Sequence, residues 1–247
     1  MSATAASRVH TEPATTHVAA GTVQRALLIC GILSSVFYVA GDQLGAMRWH
    51  GYDLTSQTIS ELMARDAPSR PLVVLLFLAY SLLAIAFGVG VWRASGQRRA
   101  LRVTSMLLIA IGVVDLAGPF FPIHLRGVAP TFTDTMHVAI TAVLVLLILL
   151  AIGFGAAAHR RWFRSYSIAT LVILAVSGTL SGLQGPRIAA QQPTPWIGIT
   201  ERINVYGYLL WGVVLAIVLL RATARNPRRA GVAGSAESGP CVSAGGL

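Results

Sequence analysis

The chain has 247 residues, of which 55% are apolar and only 11% are charged, and its mean hydropathy is +0.68. A soluble domain is typically about 45–50% apolar and about 25% charged, so the composition excludes an ordinary soluble fold. The formal charge of +10 comes from nineteen arginines, which flank apolar blocks instead of forming one basic stripe. This distribution argues against a nucleic-acid-binding protein.

The apolar residues form six blocks, and each is long enough to cross a bilayer, which takes about 20 residues of helix. Pro71–Val91 and Val138–Ala158 contain no charged residue. The pattern predicts an all-α integral membrane bundle over residues 25–221, flanked by disordered tails at residues 1–24 and 222–247. The six predicted transmembrane helices are Ala26–Ala46, Pro71–Trp92, Leu101–Phe121, Thr135–Ala158, Ser165–Leu183 and Ile203–Leu220.

The arginines predict how the bundle is oriented. Thirteen of the nineteen lie in the tails and in the loops near residues 93–102 and 160–164, on one side of the predicted bundle. Short cytoplasmic loops carry an excess of basic residues. We therefore predict a multi-pass protein of the plasma membrane with both termini in the cytoplasm and the loop after the first span outside.

That first outer loop, near residues 47–70, carries a helix signal. Thr58 and Glu61 have the spacing of a capping box, in which each side chain accepts a hydrogen bond from the other residue's backbone amide. Ile59, Leu62 and Met63 would share one face of a short helix that ends before Pro68. Such a helix either covers the mouth of the bundle or lies on the surface as a plain amphipathic helix.

The acidic residues concentrate at the outer ends of the predicted spans. Asp115 lies roughly 9 Å below the outer end of the third span, at 1.5 Å per residue, so we expect it to face the bundle interior. Residues three or four apart share a helix face, and polar lines of this kind occur on the first, fourth and fifth spans. The predicted outer-leaflet pocket consists of Asp42, Asp115, Asp134, His137, Glu201 and Arg202.

Asp134 and His137 invite an acid–base or metal interpretation, because a carboxylate can orient a histidine for either role. The sequence has no paired-histidine motif, however, and the outer-side histidines His50, His124 and His137 are scattered. We therefore expect an interfacial histidine that forms hydrogen bonds, with no metal and no cofactor.

Three segments carry a resemblance to a known family. The order YDLTSQTISELMARDAP after the first span, FFPIHLRG at the end of the third and DTMHVAITAV at the start of the fourth resembles the prokaryotic membrane family called domain of unknown function 998. The matching positions are Ile59-Ser60-Glu61-Leu62, Phe121-Pro122 and His137; His124 and Arg126 are not part of the pattern. The resemblance covers about residues 25–220 and implies a bacterial or archaeal multi-pass membrane protein without an assigned activity.

Three functions remain open from the sequence. The first is a non-catalytic protein that binds or moves a lipid or small hydrophobic molecule at an outward-facing polar pocket. The second is an intramembrane enzyme that acts on a lipid or isoprenoid, with Asp115, Asp134 and His137 as acid–base groups. The third is an accessory subunit of a membrane complex. The expected partners are the bilayer and such a ligand, and the oligomeric state stays open.

Overall fold

The computed structural model describes the backbone of residues 15–225 and the side chains of residues 21–188 and 190–224. All its long elements are helices: α1 (Thr15–Arg48), α2 (Arg70–Ser95), α3 (Arg99–Asp115), α4 (Phe132–Ala157), α5 (Arg161–Gly182), the short α6 (Gly185–Ala189) and α7 (Ile197–Arg225). Two 3₁₀ helices span Ile59–Met63, named the cap helix below, and Gly118–Phe120.

The six predicted transmembrane helices are confirmed. Helical segments long and apolar enough to cross a membrane run over Gly21–Arg48, Arg70–Ser95, Arg99–Phe120, Phe132–Ala157, Arg161–Ile188 and Ile197–Ala224. The fold is therefore an all-α membrane bundle. The parts of the predicted tails at residues 1–14 and 226–247 lie outside the described residues.

Each long helix begins before the residue that the sequence predicts, and the difference is largest for α1 and α7. Helix α1 begins at Thr15, inside the predicted N-terminal tail. Helix α7 begins at Ile197 instead of Ile203, so Glu201 and Arg202 lie in its second turn and do not start the helix. Gly198 is a poor helix former, yet it lies in the first turn of α7, where its N–H donates to Thr55 O of the first outer loop; this is a tertiary override of local propensity.

The helices form a ring. Helix α1 packs on α2 and α7, and contacts then run from α2 to α3, α4, α5 and back to α7. Trp211 of α7 is fully buried in the core, and its indole Nε1–H donates to Ser167 Oγ of α5 at 2.9 Å. Gly155 of α4 lies against this indole, since a Cβ there would come within 2.5 Å of the ring. Close helix packing through small residues is the usual device in membranes.

The two ends of the bundle are distinguished by their loops. We call the end with the loop of residues 49–69 the capped end and the end with the arginine-rich loops at residues 96–98 and 158–160 the basic end. Towards the capped end, α4 and α5 expose large apolar side chains, among them Phe132, Val138, Val176 and Leu180. In a membrane these side chains meet lipid.

Candidate functional site at the capped end

The predicted capping box forms the start of the cap helix. Thr58 N–H donates to Glu61 Oε2 at 2.7 Å, and Glu61 N–H donates to Thr58 Oγ1 at 3.2 Å. Ile59 and Leu62 are buried against α2, and Ser69 Oγ donates to Leu62 O at 2.7 Å beyond the helix end. The cap helix is thus fixed over the bundle mouth, as one of the two sequence interpretations expected.

Asp42 and Arg202 form a buried ion pair between α1 and α7. Arg202 Nη2 and Nε donate to the two carboxylate oxygens of Asp42 at 2.7 and 3.0 Å, and Asp42 is fully buried. Tyr206 Oη also donates to Asp42. Arg202 Nη1 donates to Leu54 O at 2.8 Å. Protein groups thus satisfy both charges, and the bond to Leu54 O fastens the loop of residues 49–69 to the helices.

Tyr52 and Gly198 complete this fastening. Arg202 Nη2 donates to Tyr52 Oη at 2.9 Å, and the Tyr52 hydroxyl donates to Thr58 O at 2.7 Å. Burial raises the pKa of Tyr52, so the hydroxyl keeps that proton. Gly198 N–H donates to Thr55 O at 2.9 Å, and a Cβ at Gly198 would come within 2.3 Å of Leu54 O. Only glycine lets α7 approach the loop backbone this closely.

A second ion pair joins the cap helix to two other loops. Arg126 Nε and Nη2 donate to the Glu61 carboxylate at 2.7 and 3.0 Å. The same guanidinium reaches Thr194 Oγ1 at 2.8 Å and Ser56 O at 2.7 Å. Arg126 precedes α4 and Thr194 precedes α7, so one side chain ties three loops together.

Asp134 does not pair with His137. It accepts from Thr131 N–H at 2.8 Å, which caps the start of α4, and from the His124 backbone N–H at 2.7 Å. Its carboxylate also lies 2.9 Å from His124 Nδ1. The Asp134 carboxylate therefore orients His124 of the preceding loop, because a residue in the first turn of α4 points back toward that loop.

His137 instead faces the cap helix. Its Nδ1 lies 3.0 Å from Phe121 O, and its Nε2 lies 3.2 Å from Ser60 Oγ. Ser60 Oγ is also 3.5 Å from Glu201 Oε1, while Glu201 Oε2 accepts from Ile59 N–H at 2.7 Å. Ser60, His137 and Glu201 are each partly exposed. We call these three residues the Ser60 cluster.

Asp115 has a different partner from the other predicted pocket residues. It closes α3, and its carboxyl group interacts with the hydroxyl of Tyr80 on α2, which is buried. The expectation that Asp115 turns toward the bundle interior and finds a partner there agrees with this placement.

The six predicted pocket residues thus belong to four arrangements instead of one pocket: Asp42 with Arg202, Glu201 with His137 through Ser60, Asp134 with His124, and Asp115 with Tyr80. Within residues 15–225, no group of three or more His, Cys, Asp and Glu side chains is placed to hold a metal ion. The arrangement offers hydrogen-bond and proton-transfer chemistry.

The pocket predicted from the sequence did not include Ser60, Glu61 or Arg126. Ser60 and Glu61 carried a signal, because they lie in the segment that supports the family resemblance. Arg126 had no such signal; its position between the other two loops depends on the tertiary fold.

A groove lies beside this network, on the side of the bundle formed by α5, α6 and the start of α7. Its volume is about 520 Å³, and it is open to the surroundings. Its walls are mainly apolar, with Leu180, Leu183, Pro195 and Ile199, and its polar side chains are Gln184, Arg187 and Thr200 next to Trp196. None of the six predicted pocket residues lines this groove, although Thr200 directly precedes Glu201.

The three segments of the family resemblance meet in space at the Ser60 cluster: the cap helix supplies Ser60, the Phe-Pro step supplies the carbonyl of Phe121, and α4 supplies His137. The sequence profile of the family described as "Protein of unknown function (DUF998)" matches residues 32–218. No curated protein and no solved structure matches the chain.

Proposed function

The chain belongs to the DUF998 family of proteins of unknown function, and within that family we propose that it binds a phospholipid in the groove between α5, α6 and α7. The observation that carries the proposal is the groove itself, an open, mainly apolar cavity of about 520 Å³ with an arginine at its edge. Small-molecule sites commonly have this character, with apolar walls and a few polar groups that fix orientation.

The apolar wall suits an acyl chain. Leu180 and Leu183 lie on successive turns near the end of α5 and are about half and two-thirds exposed, and Ile199 faces them from α7. In the bilayer these side chains contact lipid tails, so an acyl chain enters the groove without crossing a polar barrier.

The polar edge suits a phosphate. Arg187 is exposed, and the groove lining contains no acidic side chain to neutralise it. Guanidinium groups bind phosphate oxygens with paired, charge-assisted hydrogen bonds. Gln184 Oε1 is buried without a hydrogen-bond partner, so a headgroup donor would satisfy it. Trp196 is 63% exposed, as expected of an aromatic side chain at the membrane–water interface.

Native mass spectrometry of the detergent-purified protein tests this proposal. We expect one phospholipid to remain bound to the wild-type protein after delipidation. Arg187→Gln removes the phosphate ligand and should lower the retained lipid by about tenfold or more, the value of a charge-assisted hydrogen bond. Leu183→Trp fills the groove and should also lower the retained lipid.

Two variants serve as matched controls. Val172→Trp places the same new side chain at an exposed site on α5 outside the groove, and Arg164→Gln removes an exposed arginine at the basic end. Both should retain lipid as the wild type does. Equal retention in all five proteins, or none in the wild type, would contradict the proposal.

We further propose that the protein lies in the plasma membrane with its basic end toward the cytoplasm, which places the groove in the outer leaflet. The support is the excess of arginine at the basic end and in the tails. Single cysteines placed at Gln97 and at Gly51, in a background without native cysteines, test the orientation. A membrane-impermeant maleimide should label only the Gly51 site in intact cells, and the opposite pattern would reverse the assignment.

A further inference from the structure

Ser60 and His137 have the geometry of a nucleophile and its general base. The Ser60 Oγ lies 3.2 Å from His137 Nε2, at the outer limit of the hydrogen-bond range for such a pair before substrate tightens it. We propose that Ser60 is the nucleophile of an acyl-transfer reaction on a lipid ester, with His137 as its base. This inference does not rest on the phospholipid groove, whose lining residues are different.

The contacts of His137 determine which ring nitrogen is free. Phe121 O can only accept a hydrogen bond, so His137 Nδ1, 3.0 Å away, carries the proton in the neutral ring. Nε2 is then an unprotonated acceptor directed at the Ser60 hydroxyl. A backbone carbonyl thus fixes the tautomer that a general base requires.

Glu201 positions the serine. Its Oε2 holds the backbone amide of Ile59 at 2.7 Å, and its Oε1 lies 3.5 Å from the Ser60 hydroxyl. The hydroxyl has one proton, and His137 Nε2 is the nearer acceptor.

The surroundings indicate a membrane substrate. His137 lies in the second turn of α4, roughly 8 Å from the start of the helix at 1.5 Å per residue, a depth close to the boundary between headgroups and hydrocarbon. Phe132 at the start of α4 and Val138 next to His137 are 71% and 66% exposed. Lipid ester carbonyls lie at this depth, so they can approach the partly exposed Ser60 from the bilayer.

The reaction balances with water as the second substrate. Ser60 Oγ attacks the ester carbonyl carbon while its proton moves to His137 Nε2. The bond to the leaving alcohol then breaks, and the alcohol oxygen takes that proton, which leaves an ester of Ser60. Water next attacks this ester and gives a proton to Nε2; Ser60 Oγ leaves and recovers it. The products are a fatty acid and an alcohol.

A fluorophosphonate probe tests the nucleophile directly, because it forms a covalent bond to an activated serine and releases fluoride. With the purified wild-type protein, we expect one probe adduct, located at Ser60 by peptide mass spectrometry. Ser60→Ala should abolish the adduct. His137→Gln should slow its formation by about 100-fold or more, the usual contribution of a general base.

Two variants are the controls. Ser56→Ala removes a partly exposed hydroxyl of the same loop that donates to Asp53 Oδ2 at 2.7 Å instead of facing a histidine. His124→Gln removes the histidine that faces Asp134. Both should label at the wild-type rate when size-exclusion profiles show folded protein. Absence of an adduct at Ser60 in the folded wild type would overturn the proposal, as would equal labelling of His137→Gln.

The pH dependence of wild-type labelling gives a second measurement that needs no variant. The titratable side chains near the pair are Glu201 on α7, which lies 3.5 Å from Ser60 Oγ, and Asp134, which precedes His137 on α4 and turns to His124. Labelling should follow a single ionisation of a base and fall about tenfold per pH unit on the acid side. Labelling that does not change with pH would exclude His137 as the base.

Discussion

The capped end and the basic end of this bundle are held together in different ways. At the capped end, side chains connect residues far apart in the sequence, as in the pairs Asp42–Arg202 and Glu61–Arg126. At the basic end, polar contacts are mostly local: Arg98 Nη2 donates to Ala94 O at 3.0 Å, and His159 Nδ1 lies 3.0 Å from Gly155 O. The polar contacts between residues distant in sequence therefore concentrate at the end that also carries the Ser60 cluster.

This difference has a physical reason. Arginines at a membrane surface are stabilised by water and lipid headgroups and need no protein partner. A loop that lies over the mouth of a bundle has backbone groups that need partners when they are buried. The guanidinium of Arg202 and the carboxylate of Glu201 supply such partners to Leu54 O and Ile59 N–H.

The largest expected effect is at the buried ion pair. Arg202→Met leaves the carboxylate of Asp42 buried without its main partner, and breaking a buried pair in this way costs about 3–5 kcal/mol. Thermal unfolding in detergent should show a drop of roughly 10 °C for a chain of this size. The double variant Asp42→Asn with Arg202→Met should recover part of the loss. A single variant as stable as the wild type would show that the pair does not fasten the cap.

Gly198→Ala should have the next largest effect. The new Cβ would meet three backbone carbonyl oxygens, those of Leu54, Thr55 and Gln57, within 3 Å. Forced displacement of packed groups typically costs about 1–3 kcal/mol. Gly182→Ala is the matched control, because no atom lies within 4 Å of a Cβ there and alanine favours helix. The melting temperature should fall for the first variant and stay level or rise for the second.

Arg126→Met should have the third largest effect on the unfolding free energy. It leaves Glu61, which is 4% exposed, without its charged partner, and hydrogen bonds to charged groups contribute about 1.5–3 kcal/mol each. Because Arg126 itself is partly exposed, we expect about 2 kcal/mol. Arg161→Gln, an exposed arginine at the basic end, should change the unfolding free energy by less than about 0.5 kcal/mol. Equal losses in both variants would remove the contrast between the two ends.

The smallest effect concerns pH at the basic end. Burial lowers the pKa of His159, so the folded state takes up its proton at lower pH than the unfolded state does. Stability should therefore decline as pH falls below about 6.5, the ordinary histidine value. It should stop declining once pH passes the lowered folded pKa. Melting curves from pH 8 to 5 should show this slope in the wild type and a shallower one in His159→Gln; identical slopes would exclude His159 as the cause.

Much of the fold follows from the sequence, because the length and polarity of apolar blocks determine which segments can cross a bilayer. The capping box of Thr58 and Glu61 was also predictable, since it depends on residues three apart. The partners of His137 and Asp134 were not. Their spacing suggested one shared face on α4, but helix direction turns Asp134 back to the loop at His124 while His137 meets the cap helix.

The start of α7 shows the same limit from another direction. Gly198 reads as a loop residue in sequence, and its close contact with the backbone near Thr55 accounts for a glycine in the first turn of the helix. The groove was likewise beyond sequence reasoning, because its walls come from α5, α6 and α7 and their polar residues are few. Long-range pairing decided both features.

We conclude that the loop at residues 49–69 is a fixed cap, fastened to the helices by hydrogen bonds. Amide hydrogen exchange of the detergent-purified protein tests it most directly. The amides of Ile59, Glu61 and Gly198, which are bonded to Glu201, Thr58 and Thr55, should exchange far more slowly than those of Gln97 and Arg160 in the basic-end loops. Exchange at the same fast rate in both sets would contradict the claim.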